Sequence, residues 1–386
     1  MSVVDDIRRR RTMSMVVVTV VVSLLVPIVG YVGVRAVLDS TGGKDALADN
    51  LPTQSFPATP TGLLMSVDEE GTLAGLTVFV LGPSGVGGSI IPVSVSADIG
   101  FADDSRRSIQ QVFAEEGPEA TVFAVESVLL VSINHWEIAD PASLGGILLP
   151  FEPYEVTLVH DVGSPEGDEP GTAIVAGTSV LDARTTAAVL TTGAGTGSES
   201  DRVANAEAVW QAFSRKVGAG RPLGAVAAGG PSDFGALLAA VEAGPVASRG
   251  IGMNAFTAAQ NPDRLDVIEI DQSEAVFVFG SICPVQVSAP KPGLLMRVVA
   301  PPGYEQEVLR TIDKILYVGA NVVSVSLDGA PQADTRFLVA DEANRERLAV
   351  ADGIFGTINI EQPDVRIEGV DVTIELGTDY LESVEL

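Results

Sequence analysis

The chain has 386 residues with 51 acidic against 23 basic positions, a formal net charge of −28, and a surface that negative excludes nucleic acid as a partner. A hydrophobic fraction of 46% with 40 glycines excludes wholesale disorder. A single cysteine excludes an internal disulfide, and two histidines far apart, His135 and His160, exclude a His-rich metal centre.

The N-terminus runs against the overall charge. Residues 1–38 hold five Arg and two Asp, so residues 39–386 keep 18 basic and 49 acidic positions, a net of −31. Four arginines, Arg8 to Arg11, precede Met13–Val34, a run of 22 uncharged residues that would make a helix of about 33 Å. That length crosses a bilayer core, and the basic cluster sets the N-terminus on the cytoplasmic side. Pro27 and Gly30 are tolerated in such a helix. A cleaved signal peptide shares the basic start. Its apolar core, however, is shorter and ends at a small-residue site, unlike Tyr31-Val-Gly-Val-Arg35. The expectation is an uncleaved single-pass anchor over residues 1–38, in the cell membrane, with the bulk of the chain outside the cytoplasm. Residues 39–61, rich in Gly, Pro, Ser and Thr, read as a stalk.

From Gly62 the chain alternates short apolar runs with helical patterns. Leu63–Val67 and Leu76–Leu81 flank an acidic turn at Asp68–Gly71, a hairpin signal, and Gly87–Phe101 adds a third strand. Helices are predicted over 107–115 and 119–130. Strands follow in Asn134–Ala139 and Tyr154–Val162, then an acidic Pro-Gly loop at 163–171. Residues 203–217 read as an amphipathic helix with Val209, Trp210 and Phe213 on its apolar face. Two prolines around Lys291 mark a boundary at Ser288–Gly293. Beyond it come a strand (294–300), a helix (304–319), two strands (321–327, 336–340), a helix (343–355) and a last strand (371–376). Strands alternating with helices predict an α/β class of layered fold, with one domain over 62–288 and a smaller one over 293–381.

Several segments resemble the LytR–CpsA–Psr family of actinobacteria. Gly117-Pro-Glu-Ala-Thr-Val-Phe-Ala-Val-Glu126, Leu181-Asp-Ala with Ala187-Ala-Val-Leu190, and Ser200-Asp-Arg202 before the Trp210 helix are similar to its central domain. Met296-Arg-Val-Val299 and Val372-Thr-Ile-Glu-Leu-Gly-Thr-Asp-Tyr380 resemble the LytR C-terminal domain. The resemblance spans about residues 62–381 and implies an α/β/α central domain followed by a smaller α/β domain. It also implies a cell-wall setting. Active members move a glycopolymer from a polyprenyl-pyrophosphate carrier onto peptidoglycan, holding the lipid in an apolar cavity and the pyrophosphate with arginines, Mg²⁺ and acidic residues. A diphosphate in transit needs several fixed cations, and arginine supplies bidentate contacts.

The departures from that pattern carry the functional expectation. Leu73-Ala74-Gly75 stands where the family has Arg-x-Asp, and the Ile-Pro-Arg-Asp signature is replaced within Ile91-Pro-Val-Ser-Val-Ser-Ala-Asp98. No Lys or Arg occurs from Asp45 to Ser105. Thr191-Thr192-Gly193 replaces Arg-x-Arg, and the second Arg of the later motif falls at Asn205, so only Asp201 and Arg202 match. Losing three or four charge-assisted contacts, each about 1.5–3 kcal/mol, removes most affinity for pyrophosphate.

The remaining candidates for an anion site are Arg106, Arg107, Arg184 and Arg202, with Asp201 as a candidate acid. Against this stand a surface salt bridge of Arg202 with Asp201 or Glu199, and solvation of Arg106 and Arg107 or their pairing with Asp103 and Asp104. Gly82–Gly88 lacks the Gly-Lys-Ser/Thr ending of a phosphate loop and reads as a hairpin loop. His135 and His160 read as structural, Glu166, Asp168 and Glu169 as a solvated loop, and Cys283 as a buried small hydrophobe. No metal or other cofactor is expected unless phosphotransfer survives, in which case Mg²⁺ is required. The leading expectation is a membrane-anchored envelope protein that binds or scaffolds, its partner a cell-wall polymer, a polyprenyl lipid or another envelope protein. The alternatives are an active ligase with a rebuilt arginine site and a non-catalytic lipid binder.

Overall fold

The computed structural model describes residues 51–100, 106–163, 174–192, 198–217, 230–348, 355 and 358–383. The Met13–Val34 span, the stalk up to residue 50, Asp103, Asp104, Gly193 and the acidic positions 166, 168 and 169 lie outside the described residues. Among the described residues, no helix is long and apolar enough to cross a membrane.

The central sheet grows from the predicted hairpin. Strands β2 (Thr61–Val67) and β3 (Leu73–Leu81) pair antiparallel, and every residue of both is buried. Such continuous burial requires both faces of the sheet to be covered. The Asp68 carboxylate closes the turn by accepting from the Glu70 and Thr72 amides at 3.0 and 2.8 Å. The Gly82–Gly87 loop leads into β4 (Gly88–Val93), antiparallel to β3. Gly88 has φ +141°, and a Cβ there would stand 1.9 Å from the Val80 carbonyl oxygen, so only glycine fits. Strands β5 (His135–Ala139) and β8 (Val246–Ser248) complete the order β5-β2-β3-β4-β8, each parallel to its neighbour.

Side chains alternate across this sheet and build two cores. Leu64, Phe79, Leu81 and Ile90 face one layer: α3 (Pro141–Leu148), α4 (Ala183–Thr191), α5 (Glu199–Lys216), α6 (Phe234–Glu242) and the hairpin β6 (Tyr154–Leu158)–β7 (Gly177–Leu181). Phe79 meets Trp210 and Phe234 edge to face at 5.4 and 5.8 Å. Leu63, Met65, Val78, Val80 and Ile91 face the other: α1 (Ile109–Glu116), α2 (Pro118–Leu129) and α7 (Gln272–Ile282). A short antiparallel pair, β9 (Met253–Ala255) and β10 (Ile268–Ile270), precedes α7.

The C-terminal sheet has the order β12 (Asn321–Ser326), β11 (Leu295–Val299), β16 (Val372–Glu375), β13 (Arg336–Val339), β14 (Ile360–Glu361). It carries α8 (Glu305–Tyr317), α9 (Glu342–Leu348) and α10 (Thr378–Leu381). The predicted strands and helices of this region recur, with α9 described only to Leu348. Helix α7 serves two cores at once. Phe279 packs into the first domain, while Val276 joins the C-terminal core and a Cβ on Gly280 would touch Val325 Cγ2 at 3.2 Å. The Ser273 hydroxyl also donates to Asp313 on α8. Within the segment read as stalk, β1 (Thr53–Gln54) pairs parallel with β15 (Arg366–Ile367), tying the chain ahead of the central sheet to the C-terminal domain.

Four helices absent from the sequence-based expectations, α3, α4, α6 and α7, share one start signal. Asp140, Asp182, Asp233 and Asp271 each accept from the backbone N–H three residues on. An aspartate ahead of an apolar run was the available clue.

Candidate functional site

Three of the segments compared above, at Ala74–Gly75, Ser94–Val95 and Arg202, meet in a closed structure. Arg202, on the first turn and a half of α5, donates from Nε to Glu199 Oε2 at 2.7 Å and from Nη2 to Glu199 Oε1 at 2.6 Å. Its Nη1 donates to the Ala74 carbonyl oxygen of β3 at 2.8 Å. Glu199 Oε1 also accepts from the Ser94 hydroxyl at 2.6 Å and the Val95 amide at 3.0 Å, just beyond β4. Both side chains are buried. Burial alone would raise the Glu199 carboxyl, but Arg202, Ser94 and Val95 outweigh it and hold the group below its ordinary value. Gly75 makes room for this packing, since a Cβ there would lie 2.9 Å from the Leu190 carbonyl oxygen and 3.8 Å from Arg202 Nη1.

Asp201 faces the other way. Its carboxylate accepts from the Ser198 amide and hydroxyl, forming the capping box of α5, and lies 3.8 Å from His160 Nδ1. The Ser198 hydrogen bonds pull its carboxyl below the ordinary range. Asn205 is buried and pins α5 to the end of the β6 segment: its Oδ1 accepts from the Val159 amide and its Nδ2 donates to the His160 carbonyl oxygen.

The other arginines lie elsewhere. Arg106 donates from Nη1 to Asp98 at 2.5 Å and from Nε to the Gln260 carbonyl oxygen at 2.8 Å, and its guanidinium sits 3.6 Å from the Phe256 ring centroid. It lines a cavity of about 320 Å³ with Asp98 and Glu269. Arg107 bridges Glu115 and Glu116 at the end of α1, and the hydrogen bond to Glu116 raises its guanidinium further. Arg184 is exposed and lines a different cavity, of about 830 Å³. The four arginines are thus distributed over four environments, and Arg202 lines neither of these two cavities.

The larger cavity lies between the β2–β3 turn and the starts of α3 and α4. Asp68, Glu69, Asp140, Glu152 and Asp182 surround it, with Arg184 as the lone base. Hydrogen bonds from Ser143 and from Thr185 lower the carboxyls of Asp140 and Asp182, so both are ionised at neutral pH. Glu152 accepts from the Ala183 amide at 2.8 Å. Gly145 and Gly146 form part of its wall, inside an eight-residue helix where each glycine costs about 0.5–1 kcal/mol relative to alanine. Sequence reasoning missed this place, although a Gly-Gly pair inside an apolar helical run was its signal. Among the described residues, no three His, Cys, Asp or Glu side chains gather as metal ligands would.

No family model matches the chain, and no curated protein does. Solved structures similar to it include a transcriptional regulator from Enterococcus faecalis, 16% identical, covering 61% of this chain and 86% of that one at a TM-score of 0.39. TagV of B. subtilis is 14% identical, covering 56% of this chain and 93% of its own at a TM-score of 0.40. The LytR-CPS2A-psr family protein YwtF (TagT), solved with bound octaprenyl pyrophosphate lipid, is 12% identical, covering 57% and 87% at a TM-score of 0.37. The likeness is one of mixed α/β fold at low identity.

Proposed function

We propose that this chain is a membrane-anchored, envelope-facing relative of the glycopolymer ligases that binds or scaffolds in cell-wall assembly and does not transfer phosphate. The sequence resemblance supplies the setting. The observation that carries the non-catalytic reading is the Arg202 fork, which is buried and directed at Glu199 and the Ala74 carbonyl oxygen. For Arg202 to hold a diphosphate it would have to leave Glu199 buried and unpaired, which costs several kcal/mol, about 3–5 for a pair of this kind. Arg106, Arg107 and Arg184 offer no second cation beside it. A transferring phosphoryl group needs donors already aimed at one point, because reorganising them during the reaction forfeits their advantage.

The test is the full-length chain in detergent, given polyprenyl pyrophosphate and Mg²⁺. Phosphate release should equal that of a protein-free control. Turnover above the control that disappears in Arg106→Ala or Arg184→Ala would instead favour an active ligase with a rebuilt arginine site. The anchor is tested separately by a reporter fused at the C-terminus, active only outside the membrane if Arg8–Arg11 hold the N-terminus inside. Reporter activity in the cytoplasm would reject it.

A further inference from the structure

We propose that the cavity of about 830 Å³ at the starts of α3 and α4 is a binding site for a lysine-bearing peptide segment, taking a primary ammonium carried on a short apolar stem. This goes beyond the reading above and holds whether or not phosphotransfer survives.

The first argument is the wall of the cavity. Gly145 and Gly146 are consecutive within α3, and a Cβ built on either would meet nothing within 4 Å outside its own turn of helix. Glycine in a helix can be offset by close packing, as at Gly280 in α7, where a Cβ would lie 3.2 Å from a valine methyl. Here no neighbour explains the pair, yet each glycine weakens the helix relative to alanine. What the two residues do provide is a bare stretch of helix facing open volume, on which an extended chain can lie flush.

The second argument is the chemistry of that volume. Leu149, a large apolar side chain 59% exposed, lies on its border and offers contact to the methylenes of a lysine stem. Asp140 and Asp182 stand at the two helix starts, both ionised. With Asp68, Glu69 and Glu152 on the same wall, the five carboxylates outweigh the positive ends of the two helices and the single Arg184, so the site attracts cations and repels phosphate and carboxylate groups. A bare divalent ion fits poorly, because the carboxylates are spread around the cavity instead of gathered at coordination distance. An ammonium needs no fixed coordination geometry, and Arg184 is placed to meet a carbonyl oxygen of the same peptide.

The experiment uses the full-length chain and the probe Nα-acetyl-Lys-Leu-amide, with its Nε-acetylated form as the neutral control, followed by calorimetry or NMR titration. Saturable binding of the ammonium form, at least tenfold tighter than that of the acetylated form, is expected. The Asp140→Asn/Asp182→Asn pair keeps both helix caps, because asparagine caps as well as aspartate. It should weaken binding tenfold or more with the fold intact by circular dichroism. Gly145→Ala/Gly146→Ala should raise Tm by a few degrees while weakening the probe, a combination that a purely structural role for the glycines does not give. Equal binding of both probe forms, unchanged affinity in the Asp→Asn or Gly→Ala chains, displacement of the probe by inorganic pyrophosphate, or no saturation in the tens of millimolar would each overturn the proposal.

Discussion

Replacing Arg202 with methionine removes the fork while roughly keeping the volume of the side chain. Three charge-assisted hydrogen bonds disappear, two of them to the Glu199 carboxylate, which stays buried with only Ser94 and Val95 as donors. Removing one member of a buried pair costs about 3–5 kcal/mol, and the surviving donors place this case near the lower end. For a protein of this size the urea m-value is roughly 3 kcal/mol/M, so the midpoint should fall by about 1 M at unchanged m. Trp210, fully buried on the same helix, reports the transition by fluorescence in a Trp136→Phe background.

The pH dependence has a definite sign. In the parent, Glu199 is held below its ordinary value of 4.5, so its contribution is complete above that pH and is lost as the pH falls through the lower folded value. Without Arg202, burial dominates and the folded value rises above 4.5. The variant is then penalised at neutral pH and relieved as the carboxyl protonates. The gap between the two proteins should therefore be widest near pH 7 and narrow as the pH falls towards and below 4.5. Replacing both partners, Glu199→Leu with Arg202→Met, should recover most of the loss, because an apolar pair of similar volume is often neutral or stabilising. A single-variant loss below about 1 kcal/mol, on the scale of a surface pair, or a gap that widens on acidification, would refute the reasoning.

Phe79→Ala removes a fully buried ring that packs edge to face on Trp210 and Phe234; it should cost about 3–5 kcal/mol and red-shift Trp210 emission, and an unshifted spectrum would contradict the contact. Cys283 is wholly buried and burial pushes its thiol well up, so iodoacetamide at pH 8 should label it only after unfolding; fast labelling of the native chain would count against that burial. Residues 289–292 are exposed between the two sheets, so proteinase K should cut there, yet the fragments should co-elute in gel filtration because α7 is packed into both cores; separation of the fragments would show that the shared helix does not hold them.

What could be read from the sequence was whatever local pattern determines. Leu63–Val67 and Leu76–Leu81 around an acidic turn gave the hairpin, and Val209, Trp210 and Phe213 fell on the buried face of α5 as their spacing requires. Helix α7 is apolar on opposite sides because it is packed into two cores, so it shows no polar face from which a period could be read. At the site, the sequence left Arg202 with either Asp201 or Glu199. Tertiary structure decides for Glu199, because Ser94 and Val95, more than a hundred residues away, come within hydrogen-bond reach of that carboxylate and make its burial tolerable. Asp201, one residue from Arg202, turns back to cap its own helix instead. Likewise Gly145 and Gly146 look like an ordinary flaw in a short helix until the fold brings the start of α4, some forty residues on, beside them and leaves the space between the two unfilled. Charge, strand and helix follow from neighbours along the chain, whereas which donors share one carboxylate and which volume stays empty depend on segments that meet only when the cores close.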